Sequence, residues 1–196
     1  MDTDTPTVAS ELYAEKDYLT NSKPTFDKNN VVSKFYLKFP PSSPTIDSDG
    51  DLVVERKKHI VQGCIEIEHS NRTILDLVGL QVWRGALLLA DWIMHNAALF
   101  SNEGKILELG SGVGLTSIVA AIYAPVICTD VDKGGILELI ECNLQRNKKY
   151  TKYPVTVMGL DFTQSLSTQI ETTIPEITTI LAADVIYDDD ITDAFP

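Results

Sequence analysis

The residues best suited to contact a ligand are three glycines spaced two apart, Gly110, Gly112 and Gly114. They follow the apolar stretch KILEL (105–109), which is typical of a buried strand, and they precede TSIVAAIYA (116–124), which is typical of a helix. Because glycine has no side chain, a glycine-rich loop lets the backbone approach a ligand closely. The sequence therefore predicts a ligand-binding turn between a strand and a helix.

Two acidic residues near this loop narrow the class of ligand. Glu108 lies two residues before Gly110, where a carboxylate would repel a pyrophosphate but could hold an ammonium group. Asp130 lies 20 residues after Gly110, where an acidic side chain can accept hydrogen bonds from both hydroxyls of a ribose. Leu115 stands where a dinucleotide fingerprint has its third glycine, which weakens NAD as the ligand. S-adenosylmethionine fits these features, because it combines adenosine, an amino acid head and a cationic sulfonium.

The elements that must position this loop alternate between strands and helices. The predicted strands are 63–70, 105–109, 126–130, 155–160 and 178–185, and the predicted helices lie within 78–99, 115–123 and 136–147. The helix within 78–99 carries a core-facing stripe of apolar residues, namely Val82, Trp83, Ala86, Leu87, Ala90 and Ile93. This alternation predicts an α/β domain with a parallel sheet and helices on both faces.

The N-terminal part of the chain has a different composition from the rest. Residues 1–55 are polar and are predicted to form an extension, with the domain itself over 56–196. Within the extension, PPSSPTIDSDGD (40–51) is rich in turn-forming residues and predicts a linker. KFYLKF (34–39) alternates polar and apolar residues, which predicts a strand that docks on the edge of the domain.

Charge and cysteine content exclude several classes of function. The 196-residue chain has 16 basic and 28 acidic residues, a formal net charge of −12, which argues against direct binding to nucleic acid or to an anionic membrane. A cationic ligand or substrate fits better. The longest apolar stretch is too short to span a bilayer, and the first residues lack a signal-peptide pattern. Three widely spaced cysteines without a CxxC pair predict no disulfide and no metal site, and they favour a reducing, intracellular compartment.

Several motifs resemble those of one enzyme family. ILELGSGVGL (106–115) and the Thr–Asp pair at 129–130 resemble motif I and the following acidic motif of class I, seven-strand methyltransferases. QVWRGALLLADW (81–92) is similar to the pattern that precedes motif I in the lysine methyltransferase-like group, and ILAADVIYDDDITDAF (180–195) extends the likeness. The resemblance covers about residues 50–195 and implies a Rossmann-like fold.

The resemblance implies which residues hold the cofactor, S-adenosylmethionine. Trp83 would pack along it, and the backbone of Gly110, Ser111 and Gly112 would line its methionyl and ribose parts. Asp130 matches the acid that binds the ribose.

Further matched positions lie nearer the adenine and the reacting methyl group. Asp161 and Phe162 match an Asp–Trp pair that flanks the adenine, and phenylalanine offers less stacking surface than tryptophan. Ala183, Asp184 and Tyr187 match the A-[DE]-x-x-[YF] signature close to the methyl group and the entering substrate. The resemblance thus implies Asp184 and Tyr187 as catalytic residues and Ala183 as a cofactor contact.

The function implied is S-adenosylmethionine-dependent N-methylation of a lysine in a protein substrate. A neutral amine would attack the sulfonium methyl in line, so alignment and desolvation supply the catalysis and no covalent enzyme intermediate is needed. By the same analogy the protein is expected in the nucleus, with the cytoplasm as a further location.

Two other functions stay open. An NAD-dependent oxidoreductase is disfavoured by the glycine spacing and by Glu108. Because the predicted elements leave nothing for the last strands of the family fold, we also expect a sheet lacking its C-terminal strands, hence a truncated, inactive isoform acting as a cofactor-binding or interaction module.

Ordinary structural roles compete with these assignments. Trp83 could be only a core aromatic, the glycines only a tight turn, and Asp130 only a helix cap. Asp184 and Tyr187 are also common residue types at strand ends.

Overall fold

The structure of the protein is a computed structural model. It describes residues 6–14, 19–20, 25–38, 46–51, 63–100, 104–164 and 176–194.

The strands and helices have the following bounds. In chain order the strands are β1 (Thr7–Val8), β2 (Leu19–Thr20), β3 (Val31–Leu37), β4 (Gly63–His69), β5 (Thr73–Ile74), β6 (Lys105–Leu109), β7 (Val126–Asp130), β8 (Val155–Gly159) and β9 (Ile177–Ala182). The α-helices are α1 (Arg84–His95), α2 (Leu115–Ala120), α3 (Ile136–Arg146) and α4 (Asp189–Ala194), with 3₁₀ turns at Glu11–Ala14, Leu75–Leu80 and Ala97–Phe100.

A four-stranded parallel sheet forms the centre of the domain, in the order β8-β7-β6-β9. The chain moves outward from β6 to β7 and β8, and then returns to place β9 on the other side of β6. This reversal makes β6 and β9 the switch point of the sheet, and ligands of open α/β sheets bind beyond the carboxyl ends of strands at such a point. The Rossmann-like α/β prediction is confirmed.

The main core lies on one face of this sheet. All six residues of α2 are buried, and α1 and α3 add buried side chains such as Ile93 and Ile140 to the same cluster. Ile106, Val126 and Cys128 contribute from the strands. Three helices therefore cover the face that carries these alternate strand residues.

A second, smaller apolar cluster lies on the other face of the sheet. It contains Leu107 and Leu109 of β6 and Ile127 of β7, which alternate with the strand residues of the main core, and Leu160, which follows β8. Helices were predicted on both faces, but no helix of the described residues contributes to this second cluster. Residues 165–175, which follow β8, lie outside the described residues.

The N-terminal region contributes strands to the fold. β3 pairs antiparallel with β4, from Val31 opposite His69 to Leu37 opposite Gly63, which matches the strand predicted at 34–39 as far as residue 37. β1 pairs antiparallel with β5. The predicted linker is described only over 46–51, and the predicted domain boundary at residue 55 falls outside the described residues.

Side chains after β7 satisfy the free edge of β4. Asn147 accepts a hydrogen bond from the Glu66 amide and donates to the Glu66 carbonyl, and Asn143 of α3 makes the same pair of bonds with Glu68. Asn143 also donates to the Val113 carbonyl at 3.0 Å. An exposed edge would offer these backbone groups to another chain. The antiparallel sheet is thereby tied to the glycine loop.

The segment predicted as one long helix is divided. Residues 75–80 form a 3₁₀ turn, Gln81 and Trp83 have extended backbones, and α1 begins at Arg84. The 21-residue span Leu75–His95 is long and apolar enough by composition alone to cross a membrane. However, α1 has only 12 residues, a length of about 18 Å, whereas a bilayer core is about 30 Å thick.

Candidate functional site

The predicted site residues meet at one edge of the parallel sheet. Gly110 to Gly112 follow β6, Asp130 ends β7, Asp161 and Phe162 follow β8, and Asp184 follows β9. Because the four strands are parallel, their carboxyl ends lie on the same side. The fold thus brings together residues that are up to about 75 positions apart in the sequence.

The glycine loop has a backbone that disfavours side chains. Gly110 and Gly112 have φ angles of 61° and 56°, in the left-handed region. A Cβ atom added to Gly112 would lie 3.1 Å from the carbonyl oxygen of Gly79, and one added to Gly110 would lie 2.7 Å from Val185. The loop is therefore held against two other segments with little space between them.

The carboxylate of Asp130 holds this loop. Its Oδ2 accepts a hydrogen bond of 2.7 Å from the Gly112 amide, and its Oδ1 accepts one of 2.8 Å from the Val131 amide. Burial raises the pKa of Asp130 to about 6, although both backbone bonds favour the charged form. Asp130 does not cap α3, whose N-cap residue is Gly135, and its contact with a ribose stays a prediction.

Glu108 lies deeper than a direct ligand contact would require. Its side chain is 2% exposed, and its Oε2 accepts a hydrogen bond from the Ser117 hydroxyl of α2. Burial raises the pKa of Glu108 to about 7. A contact between Glu108 and a ligand's amino group stays a prediction, whereas the contact that the structure shows links β6 to α2.

The buried Glu108 carboxyl gives a prediction for the pH dependence of stability. Its pKa rises from the ordinary value of 4.5 to about 7 on folding, so the folded state binds the extra proton between these values. The protonated Glu108 carboxyl therefore contributes its full stability below pH 4.5. This contribution is lost as the pH rises through 7, a change of about 3 kcal/mol in the free energy of unfolding. Relative to wild type, Glu108→Gln should gain about this much unfolding free energy from pH 4 to pH 8.

Chemical denaturation at a series of pH values measures this difference. Glu138→Gln, at an exposed position on α3, serves as the control and should stay within about 0.5 kcal/mol of wild type throughout. A difference between Glu108→Gln and wild type that does not change with pH would contradict the assignment.

One segment runs across the carboxyl ends of three strands, and we call residues 78–85 the crossing segment. Near its start, a Cβ added to Gly79 would lie 3.7 Å from Oδ1 of Asp130, and the Gly79 carbonyl faces Gly112. At its end, the Gly85 amide bonds to Asp184 beyond β9. The half-buried Trp83 lies within it and donates from Nε1 to the Val78 carbonyl at 3.0 Å.

Sequence reasoning missed three residues of the crossing segment, Gly79, Gln81 and Gly85. Gln81 is buried, and its side-chain amide bonds to the Ser10 amide, the Val8 carbonyl and the Thr73 hydroxyl, which fixes the segment to β1 and β5. Two signals were available in the sequence. A glutamine lies among apolar residues that are typical of a core, and two glycines interrupt a pattern that is otherwise typical of a helix.

Asp161 and Phe162 have different surroundings, although both follow β8. The Asp161 carboxylate accepts hydrogen bonds from the Thr163 hydroxyl and amide, and these hold the pKa of Asp161 below its usual range. Phe162 packs against the second apolar cluster, and its ring lies 3.9 Å from the position of a Cβ on Gly110. The ring therefore borders the glycine loop, and its stacking on an adenine stays a prediction.

Asp184 and Tyr187 lie beyond the end of β9, next to Ala183. Asp184 has a φ of 55°, and its Oδ2 accepts a hydrogen bond of 2.7 Å from the Gly85 amide. Tyr187 is half exposed, and burial, followed by the charge of Asp130, raises the pKa of its hydroxyl. Tyr187 thus keeps its proton at neutral pH, and its catalytic role stays a prediction.

The arrangement fits a polar ligand with hydroxyl and amino groups. The hydroxyl of Ser111 is buried near the Cys128 thiol, a weak partner, and makes no hydrogen bond of ordinary geometry in the part of the chain that the structure describes. The glycine backbone and Asp130 lie beside it. Among the described residues, no group of three or more His, Cys, Asp or Glu side chains is placed to hold a metal ion.

Comparisons with known proteins agree with this chemistry. The profile of a family described as lysine methyltransferase matches residues 64–195. The chain is similar to methyltransferase-like protein 22 from Mus musculus, with 41% identity over 164 residues, covering 76% of this chain and 40% of that protein. The Homo sapiens protein of the same name is 40% identical over 162 residues, or 74% of this chain and 40% of the relative.

A third relative, which has a different name, matches a smaller share of this chain than the first two. The protein-lysine N-methyltransferase EEF2KMT from Homo sapiens is 34% identical over 121 residues, covering 56% of this chain and 36% of that protein. The chain thus matches about 40% of the length of the first two relatives.

Proposed function

The chain belongs to the lysine methyltransferase family, and we propose that it binds S-adenosylmethionine and transfers its methyl group to a lysine of a protein substrate. The observation that carries this proposal is the glycine loop at the switch point of the sheet. There the Gly112 amide is bonded to Asp130, and the buried Ser111 hydroxyl makes no hydrogen bond of ordinary geometry among the described residues. The name of one similar protein, protein-lysine N-methyltransferase EEF2KMT, supports a protein-lysine substrate.

The residues of this edge would hold the cofactor as follows. The backbone of Gly110 to Gly112 would line the methionyl and ribose parts, with the Ser111 hydroxyl available for a hydrogen bond. Asp130 would accept hydrogen bonds from the ribose hydroxyls. Two backbone amides already hold its carboxylate in place, so it is preorganised for this contact. Phe162, whose ring borders Gly110, and Trp83 of the crossing segment would supply apolar surface for the cofactor.

S-adenosylmethionine, when bound, supplies a methyl group on a cationic sulfonium. Trp83, Phe162 and the crossing segment would exclude water from this part of the site, which strengthens the electrostatic interactions inside it. Asp184 and Tyr187 lie at the exposed end of β9, where a lysine side chain would enter. The Tyr187 hydroxyl, which is neutral, can orient an amine nitrogen without adding charge.

Replacement of Asp130 tests the cofactor assignment. Asp130→Asn keeps the size of the side chain but offers one acceptor instead of two charged oxygens, so we expect S-adenosylmethionine binding to weaken by about 2 kcal/mol, or about thirtyfold. Isothermal titration calorimetry on the purified variant and wild type measures this. Asp132→Asn, an exposed neighbour, is the control and should bind like wild type.

Two further experiments, a titration and a transfer assay, separate the proposed function from its rivals. Nicotinamide dinucleotide binding to wild type without S-adenosylmethionine binding would favour an oxidoreductase. A radiolabelled methyl-transfer assay on nuclear extract then asks whether cofactor binding leads to transfer. Cofactor binding without any transfer would favour a binding module.

We also propose that the protein acts in the nucleus. The support is the analogy with the family stated above. A fluorescent fusion of the full chain, imaged in living cells, tests this proposal, and exclusion of the signal from the nucleus would refute it.

A further inference from the structure

Asp184 makes its contact with the start of a helix rather than with another site residue. The Gly85 amide of α1 donates to its Oδ2 at 2.7 Å, across 99 positions of sequence. We infer that Asp184 is a positioning residue, which fixes the crossing segment against the cofactor site by anchoring the first turn of α1. This inference rests on the proposed function, because the cofactor is what the positioned segment would contact.

The fit between Gly85 and Asp184 leaves no room for a side chain at residue 85. A Cβ added to Gly85 would lie 2.6 Å from the Cγ and Oδ2 atoms of Asp184 and 2.7 Å from its Oδ1. Glycine within a helix costs about 1 kcal/mol relative to alanine. The Asp184 carboxylate packs directly against the backbone of Gly85, which gives a physical reason for a glycine at this position.

The backbone of Asp184 indicates that the position of its carboxylate matters. Its φ of 55° is the only left-handed value of a non-glycine residue among the described residues, and such a conformation costs about 1 kcal/mol or more. A carboxylate at the N-terminus of the 12-residue α1 also interacts favourably with the helix dipole. The hydrogen bond and the dipole together offset the cost of the backbone conformation.

The anchor acts on the cofactor site through the crossing segment. That segment meets Asp184 at Gly85, and it meets the glycine loop where the Gly79 carbonyl lies 3.1 Å from the position of a Cβ on Gly112. Trp83 lies between these two contacts. Loss of the hydrogen bond between Gly85 and Asp184 would let Trp83 move relative to the glycine loop. We therefore expect this loss to weaken cofactor binding.

The test uses the full chain with four variants: Gly85→Ala, Asp184→Ala, the double variant of these two, and Asp184→Asn. Binding of S-adenosylhomocysteine is measured by calorimetry, and thermal unfolding shows that each variant is folded. We expect each of the first two variants to weaken binding about tenfold, as for the loss of a helix cap. The double variant should lose no more than either, because both changes remove the same contact.

Asp184→Asn distinguishes positioning from catalysis. Its side-chain oxygen can still accept from the Gly85 amide, so we expect its dissociation constant to stay within about threefold of wild type. Asp189→Ala, an exposed acid nearby, is the control and should bind like wild type.

Each remaining outcome has a definite meaning. Unchanged binding in Gly85→Ala and Asp184→Ala, or losses that simply add in the double variant, would overturn the positioning role and leave the proposed function standing. Normal binding by Asp184→Asn and Gly85→Ala, with methyl transfer lost only in Asp184→Asn, would assign Asp184 a catalytic role instead. Failure of wild type to bind S-adenosylhomocysteine or S-adenosylmethionine would remove the proposed function and this inference with it.

Discussion

Gly112→Asp is expected to abolish S-adenosylmethionine binding by a chain that still folds. The backbone at Gly112 has a φ of 56°, and a Cβ there would lie 3.1 Å from the Gly79 carbonyl, so the crossing segment or the loop must shift. The new carboxylate would also lie close to Asp130, whose Oδ2 already accepts from the Gly112 amide at 2.7 Å. Steric filling and like charge together should cost about 4 kcal/mol of binding, or about a thousandfold.

A second left-handed glycine offers a matched control for this variant. Gly50 has a φ of 88°, and a Cβ there would meet no described residue within 4 Å. Gly50→Asp therefore also places an aspartate at a left-handed position and adds the same charge, but it is expected to bind the cofactor like wild type. Calorimetry measures both affinities, and circular dichroism confirms folding. Equal affinity of folded Gly112→Asp and wild type would show that the loop does not contact the cofactor.

Local patterns were enough to predict the elements that carry the glycine loop. The apolar runs at 105–109 and 126–130 became β6 and β7 with these bounds. Aspartate is also a preferred N-cap residue, and Asp188 caps α4, since its Oδ1 accepts from the amides of Asp190 and Ile191. In each of these cases the signal and its cause lie within a few residues of each other.

Contacts between distant segments could not be predicted in the same way. The sequence pattern over 78–99 predicts one helix. In the structure the Gln81 side chain donates to the Val8 carbonyl, and this tertiary contact holds the backbone extended just before α1. The bond between Gly85 and Asp184 joins residues 99 positions apart. Helical periodicity describes only neighbours along one helix, and therefore it cannot report such a partner.

Charge in the sequence also says little about burial. Glu108 was expected to face a ligand because it stands near the glycines, yet it is 2% exposed and its pKa is raised to about 7. Its neighbour in the structure, Ser117, lies on the following helix and satisfies the carboxylate. Burial of an acid depends on packing from several elements, which a linear pattern does not record.

Arg146→Met is expected to destabilise the fold strongly, because it removes the charged partner of a buried carboxylate. Arg146 donates from Nη2 to Oε2 of Glu68 at 2.7 Å, and the Glu68 side chain is fully buried. The other carboxylate oxygen accepts from the backbone amides of Phe26 and Asp27 and from the Asn30 side chain. Removal of the arginine would leave a buried carboxylate whose remaining donors among the described residues are neutral, at a cost of about 4 kcal/mol of unfolding free energy.

A surface pair of the same residue types isolates the effect of burial. Arg84 lies 3.3 Å from Glu11, and the two side chains are 64% and 75% exposed, so Arg84→Met should cost less than about 1 kcal/mol. Chemical denaturation compares the two variants. Adding Glu68→Gln to Arg146→Met should restore part of the stability, because it removes the buried charge that the arginine had compensated. Equal losses for Arg146→Met and Arg84→Met would show that burial of Glu68 does not set the strength of this contact.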